Sequence, residues 1–66
     1  MILVVNGRPR EVAEETTLLD LVPEVAGAPR GVAIARNGEV VPKTSWAGVQ
    51  LQPGDRIELL NAIGGG

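Results

Sequence analysis

The residues of this sequence best suited to do chemistry lie at its C-terminus, in the run Ala62-Ile63-Gly64-Gly65-Gly66. An α-carboxyl group such as that of Gly66 is an anion at neutral pH. It can attack the α-phosphate of ATP in a partner's active site, and it becomes a good acyl donor only after adenylation supplies a better leaving group. Because glycine lacks Cβ, Gly64 and Gly65 can pass through a narrow channel. The sequence therefore predicts a terminal carboxylate that a second protein modifies.

The length of the final segment fits such a role. Six extended residues, 61–66, reach roughly 20 Å, which would carry the carboxylate into a buried site while the body stays outside. We therefore predict one domain over residues 1–60 and a flexible diglycine tail over residues 61–66. The alternative interpretation is a frayed end or a linker, since chain termini are often poorly ordered.

The other side chains offer little for catalysis. The sequence has no His and no Cys, so imidazole bases, thiol nucleophiles and the common soft metal ligands are missing. The hydroxyl groups, which lack a histidine to activate them, belong to Thr16, Thr17, Thr44 and Ser45. Glu14 and Glu15 are adjacent rather than facing, and the single lysine, Lys43, is expected in an exposed loop. We expect no metal site and no autonomous catalysis.

Length, charge and cysteine content restrict the class of protein. The 66 residues suit one small domain, and 44% hydrophobic residues are enough for a core. A net charge of -2 is unlike that of a nucleic-acid binder. The apolar opening run ends at Asn6, which is too short for a signal peptide or a membrane span. With no cysteine for disulfides, these features favour the cytoplasm and no membrane partner.

Two hairpins are predicted. The continuous apolar run at residues 2–5 indicates a strand covered on both faces. Asn6-Gly7 predicts a type I′ turn into a weaker antiparallel strand around residues 10–13. Residues 32–35 and 39–41, joined by the Asn37-Gly38 turn, form the second predicted hairpin.

A helix is predicted between the hairpins. Thr17 and Asp20 have the spacing of a capping box. The core-facing stripe consists of Leu18, Leu21, Val22 and Val25. Pro23 predicts a kinked or short helix that ends by Gly27.

The remaining segment, after the second hairpin, is less regular and leads to one more strand. Trp46 is expected to cover part of the core, and Pro53-Gly54 predicts a type II turn. The alternation at residues 56–60 predicts a half-buried final strand. Residues from Asn61 onward have no pairing partner in this scheme. The predicted fold is an α+β roll, with a mixed sheet of four to five strands and one helix packed across it.

These segments together resemble the thiamine-biosynthesis sulfur carrier proteins, the ThiS family. The matching stretches are residues 5–7, 31–35 and 37–42, Trp46, and residues 51–58 and 62–66. They follow one another over nearly the whole chain. Each motif occurs in many other proteins, whereas the combination ending in a diglycine is specific.

The resemblance implies a β-grasp fold, related in shape to ubiquitin, and a cycle of sulfur transfer. An E1-like enzyme would adenylate Gly66 with ATP, and a sulfurtransferase or cysteine desulfurase route would convert the adenylate to a thiocarboxylate. Thiazole synthase would then accept the sulfur. Gly65 would be the preceding member of the diglycine, and Gly64 matches a variable position. The chain would be a cosubstrate rather than an enzyme, with ATP used by the activating partner and no cofactor of its own.

Three alternatives stay open. The small subunit of molybdopterin synthase resembles this family in fold, tail and chemistry, although those chains are usually longer and richer in aromatic residues than the 2% found in this sequence. A ubiquitin-like modifier would pass the same adenylate to lysines of other proteins. A passive β-grasp interaction domain would make no use of its terminal glycines.

One partner surface is predicted besides the tail residues Gly64, Gly65 and Gly66. Apolar residues on the exposed face of the last strand, such as Leu60, would form a docking patch. The alternative is a leucine that is exposed singly, which is common on protein surfaces.

Overall fold

The structure, a computed structural model, describes residues 1–27 and 31–61. Its elements are β1 (Ile2–Val5), β2 (Arg8–Glu11), α1 (Leu18–Val25), β3 (Val32–Arg36), β4 (Glu39–Val41) and β5 (Arg56–Asn61), with a 3₁₀ turn at Lys43–Ser45. The strands form one sheet in the order β2-β1-β5-β3-β4. β1 and β5 run parallel, and the other neighbours are antiparallel. The predicted α+β roll with a mixed sheet is confirmed.

Both Asn-Gly pairs form the predicted two-residue turns. Asn6 and Gly7 have φ values of 51° and 82°, and Asn37 and Gly38 have φ values of 50° and 86°, as a type I′ turn requires. Because the first loop has only two residues, β2 begins at once at Arg8, and the predicted start near residue 10 was wrong.

Pro9 is accommodated in β2 because this strand lies at the edge of the sheet. Val5 pairs with Arg8 next to the tight turn, and Val4 pairs with Pro9. Hydrogen-bonded and non-hydrogen-bonded pairs alternate in an antiparallel ladder, so the nitrogen of Pro9 faces away from β1. The missing N–H therefore costs no ladder hydrogen bond.

β1 is interior to the sheet but covered on one face only. Leu3 and Val5 are buried against the core, whereas Ile2 is 54% exposed. The expectation of cover on both faces was wrong. Among the described residues, the single helix α1 contributes to the core on one side of the sheet, which leaves the other side open.

The helix has the predicted cap and the predicted short length. The Asp20 N–H donates to Thr17 Oγ1 at 3.3 Å, and the Thr17 N–H donates to Asp20 Oδ2 at 3.0 Å. Pro23 lies inside α1, which ends two residues later at Val25. Within the stretch described, no helix is long and apolar enough to cross a membrane.

The core lies between α1, the covered face of the sheet and the segment that precedes β5. Its buried members are Leu3, Val5, Leu18, Leu21, Val22, Ile34, Trp46, Leu51, Ile57 and Leu59. Trp46 covers the core as predicted, and its Nε1–H donates to the Val41 carbonyl at 3.0 Å. The Pro53-Gly54 turn is also confirmed, with φ of 85° at Gly54 and the Asp55 N–H donating to the Gln52 carbonyl at 3.0 Å.

The last strand extends one residue further than predicted. β3 begins at Val32, which pairs with Asn61, so the expectation that Asn61 lacks a partner was wrong. The predicted tail positions 62–66 lie outside the described residues, as does the predicted exit loop at residues 28–30.

Candidate functional site

The chain reaches its C-terminal segment through β5, the central strand of the sheet. β5 pairs with β1 at Arg56 and Ile57, and with β3 from Ile57 to Asn61. The half of β5 nearest the C-terminus is therefore held mainly by β3. Gly64, Gly65 and Gly66, the predicted partner-binding and reacting residues, lie outside the described residues, and their roles stay predictions.

Leu60 lies on the open face of the sheet, one residue before the end of β5. Its side chain is 68% exposed and stands opposite Ala33 on β3. Val40, opposite Ala35, is 78% exposed on the same face. A shallow groove of about 130 Å³ lies among Ala33, Ile34, Ala35, Val40, Glu58 and Leu60. Leu60 is thus part of an apolar patch and is not an isolated exposed leucine.

Charged side chains flank this patch along β5. Alternate residues of a strand share a face, so Arg56 and Glu58 lie on the same open side as Leu60. Both are exposed. The open face therefore combines an apolar groove at the end of β5 with one cation and one anion nearer its start.

The start of β5 is fixed by the carboxylate of Asp55, which is 7% exposed. Its Oδ2 accepts from Arg36 Nε at 2.8 Å and from the Gln52 N–H at 2.8 Å, and its Oδ1 accepts from Asn37 Nδ2 at 3.0 Å. Burial alone would raise the pKa of Asp55, but these hydrogen bonds and the Arg36 charge outweigh it and hold the pKa below its usual value.

Neither this network nor the side-chain roles of the two turn asparagines is predicted by the sequence pattern. Asn37 Oδ1 accepts the Arg56 N–H at 2.9 Å, and Asn6 Oδ1 accepts the Leu59 N–H at 2.9 Å. The Asn-Gly pattern indicates only a turn at each asparagine. The one available signal was the side-chain oxygen itself, because Gly-Gly would form the same turns without offering an acceptor.

The other candidate side chains do not come together as a site. Glu14 and Glu15 are exposed, Lys43 is exposed at the 3₁₀ turn, and Thr17 caps α1. Across residues 1–27 and 31–61, no three acidic side chains converge where a metal ion could bind.

Comparison with known proteins identifies the family. The ThiS family model matches residues 3–66. The chain is 32% identical to the sulfur carrier protein ThiS of Escherichia coli over the full length of both. It is also 42% identical over 66 residues to a thiazole synthase of Paramagnetospirillum magneticum, and 41% identical over 61 residues to one of Magnetococcus marinus. It spans only 20% and 19% of the lengths of those two proteins.

A solved structure confirms the fold. The crystal structure of the thiamine biosynthesis protein ThiS from Geobacter metallireducens aligns over the whole of both chains, with a TM-score of 0.79 and 33% sequence identity. The predicted β-grasp fold is therefore confirmed. The family match, which begins at residue 3 and runs through the terminal glycines, shows that this chain belongs to the ThiS family.

Proposed function

We propose that this chain is a sulfur carrier for thiamine biosynthesis and that the carboxylate of Gly66 is the group that carries the sulfur. The observation that carries the proposal is the full-length correspondence with a ThiS sulfur carrier, in which the matched region includes Gly66. Gly64, Gly65 and Gly66 fit this role, since a carboxylate on Gly66 would have minimal bulk around it.

The proposed cycle has one adenylyl-transfer step and one acyl-transfer step before sulfur donation. A carboxylate oxygen of Gly66 attacks the α-phosphorus of ATP in an E1-like partner, and pyrophosphate leaves. A persulfide sulfur, supplied by a sulfurtransferase or cysteine desulfurase, then attacks the acyl carbon, and AMP leaves. A thiol cleaves the S–S bond of the resulting acyl disulfide, which releases the thiocarboxylate and leaves the donor sulfur and the thiol joined as a disulfide. The thiocarboxylate donates its sulfur to the substrate on thiazole synthase, and an oxygen from that substrate or from water restores the carboxylate. The chain acts as a cosubstrate in this scheme, and ATP belongs to the partner.

The open face of the sheet is the proposed docking surface for these partners. Leu60 and Val40 border an apolar groove at the end of the strand that leads to Gly66. A partner side chain seated there would lie next to the entry of the C-terminal segment into the partner's active site. Two thiazole synthases contain a region similar to this whole chain or most of it, which supports thiazole synthase as a partner. A cytoplasmic location stays a prediction.

The similarity to a ThiS sulfur carrier and to two thiazole synthases favours the thiamine pathway over the alternatives. A molybdopterin synthase small subunit would use the same tail chemistry, and a ubiquitin-like modifier would use the same adenylate. Neither alternative is supported by the ThiS correspondence over full length.

The test is an intact-mass measurement after incubation with ATP, an E1-like activating enzyme and a sulfur source. We expect the mass to rise by the difference between sulfur and oxygen, and addition of thiazole synthase to reverse this rise. The matched control lacks Gly65 and Gly66 and should show no change. An unchanged wild-type mass would favour a passive domain, and conjugates on lysines would favour a modifier. Sulfur transfer to a molybdopterin precursor, without thiazole formation, would favour the molybdopterin alternative.

A further inference from the structure

Asn6 connects the first turn of the chain to its last strand. Its Oδ1 accepts the backbone N–H of Leu59 at 2.9 Å, across 53 residues of sequence. Its own backbone N–H donates to the Ile57 carbonyl at 2.9 Å. The same residue therefore binds β5 twice, once through its backbone and once through its side chain.

The side chain takes over a hydrogen bond that a longer β1 would make with its backbone. In a parallel ladder, a residue whose N–H bonds to one position on the neighbouring strand bonds through its carbonyl to the position two residues further along. Asn6 instead leaves the strand at a φ of 51° to enter the hairpin turn. Its side-chain carbonyl substitutes for the backbone acceptor. Asparagine and aspartate combine such an acceptor with tolerance of a positive φ.

The hydrogen bond from the Leu59 N–H to Asn6 Oδ1 lies beyond the end of the β1–β5 ladder, where β5 has a neighbouring strand on one side only. β1 pairs with β5 at Arg56 and Ile57 only, while β3 continues alongside β5 to Asn61. Leu59 is 7% exposed, so its N–H has little access to water as an alternative partner. The Asn6 oxygen thus holds β5 at Leu59 on the side where β1 has already ended.

We propose that Asn6 is a positioning residue for the C-terminal carrier segment, an inference that rests on the proposed function. Its hydrogen bond holds the backbone of Leu59 in place. It thereby sets where the side chain of Leu60 lies in the docking groove, and in which direction β5 points at its last residue, Asn61. The five residues beyond Asn61 span at most roughly 17 Å, so when they extend into the channel of a docked partner, the position of the strand end limits where the Gly66 carboxylate can reach. Misplacement of a reacting group by about 1 Å can cost a large factor in rate.

Three variants distinguish a loss of sulfur loading caused by misplacement of the C-terminal segment from one caused by lower stability. Asn6→Gly removes the acceptor and keeps the positive φ, whereas Asn6→Asp keeps both. Asn37→Gly is the control, because it makes the same change in the same type of turn at the start of β5. It removes the Asn37 Oδ1 acceptor of the Arg56 N–H at 2.9 Å and also the Nδ2 donor to Asp55 Oδ1 at 3.0 Å, so it should destabilise the fold at least as much as Asn6→Gly does. Each is assayed below its unfolding transition, with Leu59 amide exchange followed by NMR and thiocarboxylate formation followed by intact mass.

We expect Asn6→Gly to exchange the Leu59 amide faster and to lower kcat for sulfur loading about tenfold, with KM changed by no more than about twofold. Asn6→Asp and Asn37→Gly should keep a kcat near that of the wild type. The positioning role would be overturned if the kcat of Asn6→Gly equalled that of the wild type. It would also be overturned if Asn37→Gly lowered kcat by the same factor as Asn6→Gly. If the wild-type chain itself acquires no sulfur, the proposed function fails, and the positioning role fails with it.

Discussion

Arg36 and Asp55 form a hydrogen-bonded ion pair, with 2.8 Å between Arg36 Nε and Asp55 Oδ2, that joins the end of β3 to the residue before β5. The pair connects the second hairpin to the strand that leads to the C-terminus. Asp55 is nearly buried, while the Arg36 side chain remains 30% exposed. The carboxylate therefore depends on its local donors rather than on bulk water.

The first prediction concerns acid stability. The pKa of Asp55 is lower in the folded protein than its ordinary value of 3.8, so between these two values the unfolded chain binds more protons than the folded one. Asp55 therefore makes its full contribution to the free energy of unfolding at pH values above its pKa in the unfolded chain. This contribution is lost as the pH falls through its pKa in the folded protein. Chemical denaturation at pH values between about 7 and 2.5 measures this loss.

Two variants test the assignment of this acid-dependent contribution to Asp55. Asp55→Asn should be less stable at neutral pH by about 1–3 kcal/mol, since it weakens a buried hydrogen-bond network, and its stability should depend less on acid. Glu58→Gln removes an exposed carboxylate from the same strand and should leave the pH profile nearly unchanged. Equal acid dependence in Asp55→Asn and the wild type would contradict the prediction.

The second prediction concerns the docking groove. Leu60→Asp places a charge on an exposed apolar surface, so it should change the stability by no more than about 0.5 kcal/mol and raise KM for the activating enzyme about tenfold. Steady-state kinetics with the carrier as the varied substrate measures this effect. Leu19→Asp is the control, because Leu19 is 46% exposed on the helix, which packs against the other face of the sheet. A similar increase of KM in both variants would argue against docking at Leu60.

The third prediction concerns Trp46, which is 1% exposed. Trp46→Phe keeps an aromatic ring and removes the hydrogen bond to the Val41 carbonyl, so we expect a loss of about 1–3 kcal/mol in the free energy of unfolding. Trp46→Ala should cost about 3–5 kcal/mol, enough to unfold most molecules of so small a domain. Urea denaturation followed by circular dichroism distinguishes the two variants. A stability loss below about 0.5 kcal/mol in Trp46→Ala would mean that the indole does not support the core.

The fourth prediction concerns the terminal glycines. In the part of the chain that the structure describes, the buried core members extend no further than Leu59, so we expect deletion of Gly65 and Gly66 to leave Tm nearly unchanged. The same deletion should abolish adenylation, which pyrophosphate release in the presence of the activating enzyme measures. Insertion of Ser-Gly before Gly65 is a useful comparison, since it keeps the terminal carboxylate and changes only its distance from β5. A marked fall in Tm after the deletion would show that the glycines are structural.

The local elements were predictable because their signals are short in range. Thr17 and Asp20 cap the helix within one turn, and both Asn-Gly pairs form their turns by their own backbone preferences. β2 begins earlier than predicted, with Pro9 inside the strand. Whether a proline fits a strand depends on which way its nitrogen faces, and only pairing with β1 decides that.

Four features were predictable from the amino-acid sequence: the order of elements, the α+β class, the lack of imidazole and thiol groups, and the candidate role of the last glycines. The packing of the sheet was needed to show that the strand leading to those glycines is central, that Asp55 is held by Arg36 and Asn37, and that Asn6 binds Leu59. These features depend on residues that are far apart along the chain. These contacts join residues 18 to 53 positions apart, and a hydrogen bond between such residues depends on the packing of the whole sheet rather than on any local preference.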